Sequence, residues 1–383
     1  MEKKKKKILV LTDRMPWGHR SIAKAIFSFL KEQEKEEDYE VIYREVSQRP
    51  SVGGDFYTFI YRYFPASNII SHKFFENKIA RELFREISIL NLPKLKKEIE
   101  IIDPDLIISA YFFHTHTLVK WRARDHKKFK LWTVVADPWT SSPISFNEGC
   151  DLHIVYDDLA EKLAIKYSIE EDKILKTGWW VRPEMYKKYD KQKARKKIGF
   201  DDDRPVIFVG GGSLGTSSLT KLLPTLIFLK KKVGFIINTG TDKNTYKLVE
   251  RYINFYKKVR KDDNTVIIKN FGWIDNMAEV LSACDVVFGK AGPNFLFDSV
   301  ACRKPFVAIT HIGGQEDGNI DLIKEKKLGW IREKNRSLSK FLSQYLDDPK
   351  YFENKFKETI KKEAGNNEKS LRVILKRIKK DLI

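Results

Sequence analysis

The sequence is poor in cysteine and has no long apolar run. Its 383 residues include three cysteines, Cys150, Cys284 and Cys302. Three cysteines without metal-ligand spacing cannot form a disulfide framework, so a reducing cytoplasm is expected. No apolar stretch approaches the ~18 residues of a membrane-spanning helix. The apolar run that begins at Ile8 is also too short for a signal peptide, and we interpret it as a first strand.

Acidic residues are too few to balance the basic ones. Lysine and arginine total 72 against 52 aspartates and glutamates, which gives a net charge of +20. This excess predicts an anionic partner: membrane lipid, nucleic acid or a phosphorylated substrate. No recognisable nucleic-acid module accompanies the charge, so nucleic acid is not the expected partner.

Short β-branched runs alternate with helical patterns along the whole chain. This alternation predicts an α/β fold with parallel sheets and crossover helices. We expect strands in two successive sets, at 8–12, 40–44, 106–110, 131–135, 152–156 and 173–176, and then at 205–209, 234–238, 265–268, 285–288 and 306–309. Two sets predict two Rossmann-like domains.

The predicted N-terminal domain covers residues 1–178 and the predicted C-terminal domain residues 179–348, followed by a basic helical tail over 349–383. The N-terminal domain carries an aromatic and basic insertion at about 50–104, where no strand is expected. Insertions of this length between strands are often functional.

Ligands of open α/β sheets bind at the carboxyl ends of the strands, which directs attention to the loops that follow them. After the first strand, Gly18 permits close backbone approach and His19 lies near the start of a helix. A histidine with a pKa near neutrality can act there as a general base, and a structural histidine is the alternative. After the strand at 205–209, three glycines from Gly210 to Gly212 precede Ser213. Their amides and the helix dipole suit an anion such as a diphosphate, and a plain tight turn is the alternative.

A third group of motifs follows the strands at 285–288 and 306–309. Lys290-Ala291-Gly292-Pro293-Asn294 leads into a helix that contains Asp298, whose carboxylate could accept both hydroxyls of a ribose. The segment from Thr310 to Asn319 offers amides and carboxylates for sugar hydroxyls. By contrast, Asp103-Pro104-Asp105 precedes its strand, at the wrong edge for a metal–diphosphate site, and is expected to be a turn.

These motifs resemble a known family. The runs that carry the resemblance are Phe271-Gly272-Trp273-Ile274-Asp275-Asn276-Met277, Lys290-Ala291-Gly292-Pro293 and Gly314-Gln315-Glu316-Asp317-Gly318-Asn319. They are similar to the monogalactosyl- and glucosyl-diacylglycerol synthases, relatives of the peptidoglycan N-acetylglucosaminyltransferase, and the similarity covers nearly the whole chain. The resemblance implies a GT-B fold, a UDP-sugar donor, an inverting mechanism, and no metal or other cofactor.

The resemblance also implies roles for individual residues. His19 would face the acceptor as the catalytic base, with Asp137 as the acidic residue across the cleft. The donor-binding set it implies is Arg182, Gly211, Gly212 and Ser213 for the diphosphate, Trp273, Ile274 and Met277 for the uracil, Asp298 for the ribose, Gln315, Glu316 and Asn319 for the hexose, and Gly292, Pro293 and Asn294 in the adjoining loop.

The chain departs from the family pattern mainly on the acceptor side. Asp298 replaces the usual glutamate, whereas on the acceptor side Ala136 replaces a threonine and Ser142 the histidine of a His-Pro pair. The acceptor therefore need not be diacylglycerol itself.

The segment from Phe56 to Lys97 is expected to dock the protein on an anionic membrane, because aromatic rings favour the headgroup boundary and basic residues the anionic surface. The residues proposed for this contact, together with Gly18 for the acceptor, are Phe59, Arg62, Phe64 and Lys73. A hydrophobic core is the alternative for these aromatic residues.

The leading hypothesis is thus an inverting hexosyltransferase, peripheral on the inner face of the membrane, with a glycerolipid acceptor. A soluble acceptor, a UDP-sugar epimerase of the same fold, and a basic nucleic-acid-binding protein remain as alternatives.

Overall fold

The computed structural model describes residues 5–14, 18–47, 76–210, 216–261 and 263–382. The chain divides into two compact units. The first comprises Met1–Pro183, Ile312–Gly318 and Asn366–Ile383, and the second comprises Glu184–His311 and Asn319–Gly365. The first unit thus includes the segment Ile312–Gly318 and the last helix of the tail in addition to the N-terminal part of the chain.

Each unit is built on a parallel sheet of six strands. The strands, in chain order, are β1 Lys6–Thr12, β2 Tyr39–Glu45, β3 Leu106–Ser109, β4 Lys130–Val134, β5 Leu152–Val155, β6 Ile174–Lys176, β7 Val206–Gly210, β8 Val233–Asn238, β9 Val266–Phe271, β10 Val286–Lys290, β11 Phe306–Thr310 and β12 Gly329–Ile331. The first sheet has the order β2-β1-β3-β4-β5-β6 and the second β12-β11-β10-β7-β8-β9. In both, the order reverses at the first strand, so a crevice opens beside its carboxyl end.

Helices connect the strands of both sheets, as the alternating pattern predicts. In chain order they are α1 Gly18–Gln33, α2 Lys78–Ser88, α3 Leu92–Ile102, α4 Phe112–Arg124, α5 Asp158–Lys166, α6 Lys191–Ile198, α7 Thr216–Leu226, α8 Lys243–Arg260, α9 Met277–Ala283, α10 Pro293–Ala301, α11 Asp317–Glu325, α12 Asn335–Asp347, α13 Pro349–Lys355, α14 Lys357–Glu368 and α15 Ser370–Leu382. Within the described ranges, no helix has both the length and the apolar character that crossing a membrane requires.

The cores lie between the sheets and these helices. The central strands are apolar on both faces, as strands covered on both sides must be: Ile8, Leu9, Val10 and Leu11 of β1 are fully buried. In the first unit they pack against α3 and α4 through residues such as Leu95 and Trp121. This packing fixes the carboxyl ends of the strands, and hence the loops that follow them.

The α/β prediction is confirmed, and every predicted strand position is occupied by a strand. The sequence pattern missed β12, which is only three residues long and begins with Gly329, too short to show a period. In the predicted insertion, residues 76–104 hold α2 and α3 and no strand, as expected. Its earlier part, residues 50–75, lies outside the described residues.

Candidate functional site

Three neighbouring loops meet at the carboxyl edge of the first sheet. They follow β1, β3 and β4, which are adjacent and parallel, with Ile8 of β1 paired with Leu106 of β3, and Leu106 paired with Lys130 of β4. Parallel strands end at the same edge, so the three loops open on the same side. His19 follows β1, an aromatic run follows β3, and Asp137 follows β4.

His19 lies at the start of α1 against the loop after β3. Its ring centroid is 5.3 Å from that of Tyr111 and 6.3 Å from that of Phe112, both edge-to-face. Burial lowers the pKa of His19 to about 4. A hydrogen bond with the Ala110 backbone acts on this pKa in the opposite direction but is the smaller effect. The histidine is therefore neutral at physiological pH and a weaker base than its residue type suggests, because the surrounding apolar groups disfavour the imidazolium ion.

An aromatic wall borders His19, and the sequence motifs did not predict it. It consists of Phe84 of α2 with Tyr111, Phe112 and Phe113. The ring centroid of Phe84 is 3.9 Å from that of Phe113 and 6.0 Å from that of Phe112. Three consecutive aromatic residues directly after a buried strand were the available signal, because that position belongs to the ligand-binding edge.

Asp137 lies beside a second carboxylate. Burial and, to a smaller extent, the negative charge of Glu316 raise the pKa of Asp137 to about 7. The Asp137 backbone carbonyl accepts a 2.6 Å hydrogen bond from Ser141 Oγ, which closes a turn around it. A carboxylate with this pKa is partly ionised near neutral pH and basic enough to remove a proton.

The segment Ile312–Gly318 places Glu316 near Asp137. The Glu316 carboxylate, 4% exposed, accepts a 2.9 Å hydrogen bond from the Ile312 amide. The Gly318 amide donates to Thr140 Oγ1 at 2.6 Å. A Cβ on Gly318 would lie 2.4 Å from that oxygen and 2.7 Å from the Trp139 carbonyl carbon, so only glycine fits against the loop after β4. Glu316, predicted to bind a hexose, is thus buried and bonded to its own loop.

In the second unit, β7, β10 and β11 are adjacent, and predicted donor-binding residues such as Asn294 and Asn319 follow β10 and β11. A Cβ on Gly289 would lie 2.4 Å from the Gly210 carbonyl oxygen and 2.5 Å from the Phe295 ring, so these strand ends are packed against one another. Asn319 Nδ2 donates to the Ala291 carbonyl at 2.8 Å and ties the loop after β11 to the loop after β10. The structure therefore joins the predicted donor segments that follow β10 and β11.

The loop after β10 enters α10 through its predicted residues. Gly292 is the N-cap of α10 and Pro293 occupies its first turn. Asn294 and Asp298 follow on the same helix, both partly buried. Asp298 therefore lies one turn beyond Asn294 (i, i+4), which places the two side chains on one face of α10.

The predicted uracil-binding residues follow β9. Trp273 is 70% exposed, and its Nε1 donates to Asp275 Oδ1 at 2.8 Å. Ile274 is partly buried, and Met277 begins α9, whose N-cap is Asn276. An exposed tryptophan held by a neighbouring carboxylate offers a flat surface to a ligand.

The remaining predicted residues lie in other segments of the chain. Arg182 is in the first unit, after the Trp179-Trp180 pair, and is partly buried. Gln315 is partly buried in the segment that carries Glu316. The predicted residues that lie outside the described residues are Phe59, Arg62, Phe64, Lys73, Gly211, Gly212 and Ser213.

The opposite, amino edge of the first sheet holds a cavity of about 280 Å³. Asp103 and Asp105 line it, together with Lys6 and Lys7. The Asp105 carboxylate accepts from Lys6 Nζ and from the Lys7 amide, each at 2.9 Å. The Asp-Pro-Asp run therefore forms a turn that holds the start of β1. The described part of the chain contains no group of three or more His, Cys, Asp or Glu side chains arranged to hold a metal ion.

Both halves of the chain match models of known protein families. Residues 19–181 match the model of the monogalactosyldiacylglycerol (MGDG) synthase family, and residues 206–378 match that of the glycosyltransferase family 28 C-terminal domain. Monogalactosyldiacylglycerol synthase of Spinacia oleracea is 23% identical over 354 residues, which cover 89% of this chain and 66% of that protein. The chain spans about two thirds of the length of the curated relatives it matches.

Solved structures show the same fold at low sequence identity. Alr3699/HepE of Anabaena, in complex with UDP and glucose, aligns with a TM-score of 0.56 at 14% identity, covering 98% of this chain and 99% of that one. The UDP-GlcNAc 2-epimerase of Neisseria meningitidis, bound to UDP-GlcNAc, aligns with a TM-score of 0.61 at 11% identity, covering 98% and 100%. The chain is a glycosyltransferase of the GT-B fold. Its first half is similar to the MGDG synthase family and its second half to the C-terminal domain of glycosyltransferase family 28.

Proposed function

We propose that the protein is an inverting hexosyltransferase that moves a sugar from a UDP-sugar to a hydroxyl group of a glycerolipid at the inner face of the membrane. The observation that carries the lipid acceptor is an exposed aliphatic stripe on α2 that is continuous with the aromatic wall beside His19.

The stripe consists of aliphatic side chains that are mostly exposed: Ile79 is 79% exposed, Leu83 57%, Ile87 50% and Leu90 64%. Their spacing places them on one side of α2 and of the turn that follows it. Isolated exposed apolar residues are ordinary, but a contiguous group of this size marks a binding surface.

Phe84 connects this stripe to the candidate site. It is on α2, next to Leu83 in the sequence, and its ring packs on Phe112 and Phe113. Phe112 in turn contacts His19. An acyl chain on the stripe and a lipid headgroup at the carboxyl edge would thus be joined by one apolar surface within the first unit.

The pKa values favour Asp137 as the general base. Asp137 removes the proton of the acceptor hydroxyl, the acceptor oxygen attacks the anomeric carbon, and the bond from that carbon to the UDP oxygen breaks with its electron pair leaving on UDP. A base with a pKa near 7 combines a sizeable ionised fraction with strong proton affinity, whereas His19 with a pKa of about 4 is a weak base. His19 then orients the acceptor as a neutral hydrogen-bonding group.

The donor is assigned to the second unit by similarity and by chemistry. The matched solved structures contain UDP with glucose or UDP-GlcNAc. Asp298 would accept from the ribose hydroxyls, while the glycine-rich sequence after β7 would bind the diphosphate. Trp273, Ile274 and Met277 would border the uracil.

The test is a transfer assay with labelled UDP-galactose and UDP-glucose, with diacylglycerol in mixed micelles as one acceptor and a water-soluble glycoside as the other. We expect UDP release coupled to a labelled lipid product. Replacing Leu83 and Ile87 by Ser should raise the KM for the lipid and leave UDP affinity unchanged. The matched control is Ile101→Ser on α3, which is 71% exposed and outside the stripe.

Other outcomes identify the alternatives. Transfer to the soluble acceptor alone, unaffected by the stripe variants, would refute the lipid acceptor. Conversion of UDP-GlcNAc to its 2-epimer, without coupled transfer to any acceptor, would show an epimerase. Retention on DNA without any UDP-sugar turnover would show the nucleic-acid-binding alternative.

A further inference from the structure

We propose that the second unit carries a membrane-docking surface of its own, formed by α8 and the turn after α7, which binds anionic lipid headgroups. This surface is separate in sequence from the aromatic insertion and from α2. The inference extends the proposed lipid-linked function, but it stands on different residues.

Exposed apolar side chains form a stripe along one flank of α8. Leu248 is 44% exposed, Phe255 52% and Val259 47%. They are seven and four residues apart, which places them on the same side of the helix. The side chains of α8 that are buried in the core are Thr245, Val249 and Tyr256. The stripe is therefore not part of the packed interior.

The turn after α7 adds a more exposed aromatic residue. Phe228 is 79% exposed. Arg260 at the end of α8 donates to the carbonyls of Ile227 and Leu229, at 3.4 and 3.3 Å, and so holds the Phe228 turn against the last turn of α8. Phe228 consequently lies close to the end of the helix that carries Val259.

Within α8 itself, basic side chains border this stripe and the one acidic residue lies on another side. Helix α8 contains six basic residues and one acidic residue, Glu250. Lys247, Arg251 and Lys258 are exposed and form no ion pair with any described residue. Their positions put them on the flank of α8 next to the apolar stripe. Glu250 instead accepts a 2.7 Å hydrogen bond from Asn270 Nδ2 of β9, on a different side.

This combination matches the requirements of an anionic membrane surface. A helix with an apolar flank and a basic flank lies in the plane of the interface, with its aromatic residues at headgroup level. Basic residues near anionic lipid each add to the attraction. A self-complementary protein interface would bring the row of lysine and arginine against itself, which disfavours a second copy as the occupant. Lys230 follows Phe228 and adds a further positive charge, whereas Lys231 and Lys232 form ion pairs with Asp347 and Asp202.

The test measures binding of the full chain to vesicles without UDP-sugar or acceptor. Vesicles of phosphatidylcholine mixed with phosphatidylglycerol are compared with vesicles of phosphatidylcholine alone. We expect binding only with phosphatidylglycerol, and weaker binding as the salt concentration rises. Exchanging Lys247 and Lys258 for Gln should reduce the affinity about 30-fold, from the attraction expected for two such residues. Phe228→Ser combined with Phe255→Ser should reduce it at least about tenfold.

The control variant is Leu159→Ser combined with Ile165→Ser on α5, which are 39% and 41% exposed. It should bind vesicles as the unmodified protein does. Circular dichroism verifies that each variant is folded, and exposed positions should tolerate these changes. Unchanged vesicle affinity in both folded α8 variants would overturn the proposal. A shift in sedimentation from dimer to monomer, with unchanged vesicle affinity, would reassign the surface to a second copy.

The outcome is separable from the proposed function. In mixed micelles, where the acceptor is dispersed in detergent, the α8 variants should keep the transfer rate of the unmodified protein. Vesicle binding that depends on α8 in a protein without transferase activity would uphold this inference and refute the function. Transfer to lipid by a protein whose vesicle binding does not depend on α8 would uphold the proposed function and refute this inference.

Discussion

Replacing Asp137 with Asn removes the proposed base while keeping its shape. The loss of general base catalysis should lower kcat by ~10²–10⁴. UDP affinity should be unchanged, because Asp137 is not among the residues assigned to UDP. The assay is steady-state transfer combined with calorimetric titration of UDP. The control is Asp321→Asn, because the Asp321 side chain is 59% exposed and is outside the candidate site.

The pH profile identifies which residue is the base. A carboxylate base acts only when ionised, so kcat/KM should rise with pH and level off above about 7, the pKa of Asp137. If His19 were the base, the rise would occur at about pH 4. Glu316→Gln removes the neighbouring negative charge and should move the rise to lower pH. This decrease should be less than half of the rise in the Asp137 pKa above its ordinary value, because burial is the larger cause of that rise.

The same pKa predicts a change in stability. The folded state holds the Asp137 proton up to about pH 7, whereas the unfolded chain releases it near its ordinary pKa of 3.8. Ionised Asp137 therefore destabilises the fold: the penalty is absent below about pH 4, grows as the pH rises, and is complete above about pH 7. Its upper bound is roughly 4 kcal/mol. Asp137→Asn should raise the free energy of unfolding at about pH 8 and change it little at about pH 4.

Two results would refute this reasoning. The first is a rise in kcat/KM centred at about pH 4 together with near-normal turnover in Asp137→Asn, which would return the base role to His19. The second is an equal stability difference between Asp137→Asn and the unmodified protein at both pH values, which would show that the pKa of Asp137 is not raised.

Four further changes test the neighbouring assignments. His19→Ala should lower kcat while the pH profile keeps its rise at about 7, since the base is retained; loss of that rise would contradict the orienting role. Asp298→Ala should weaken UDP binding by ~2 kcal/mol in calorimetry, because the ribose hydroxyls lose a charged acceptor, and unchanged affinity would exclude the role. Gly318→Ala should cost ~1–3 kcal/mol of stability in chemical denaturation, because its Cβ would overlap Thr140; a neutral substitution would argue against the close packing. EDTA should leave transfer intact, and a strict need for a divalent ion would contradict the metal-free mechanism.

The fold was predictable because its signals are local. Strands such as Val206–Gly210 are unbroken apolar runs that end in glycine, and the alternation with helices requires crossovers. The donor loops were predicted on the same basis, since chemistry-bearing residues that follow parallel strands must lie at one edge of the sheet. The resemblance added residue roles that periodicity alone cannot supply.

The pKa values of the site were not predictable from the sequence. The residue type gives His19 a reference value near neutrality and Asp137 a low one. The structure reverses this order, with about 4 for His19 and about 7 for Asp137. The reversal depends on burial and on Glu316, which is far away along the chain. A three-dimensional arrangement was needed to see it.

Glu316 belongs to a segment that the resemblance assigns to the sugar donor, yet its charge acts on Asp137, the proposed catalytic base. The resemblance assigns Glu316 to the hexose, whereas the structure shows its carboxylate held by the Ile312 amide and its charge acting on Asp137. The segment is fixed to the loop after β4 by the bond from Gly318 to Thr140. Any displacement of this segment would remove the charge next to Asp137 and lower its pKa. Burial sets most of the strength of the base, and a loop from the donor-binding half of the sequence adds to it, so the pH profile of Glu316→Gln measures the contribution of that loop.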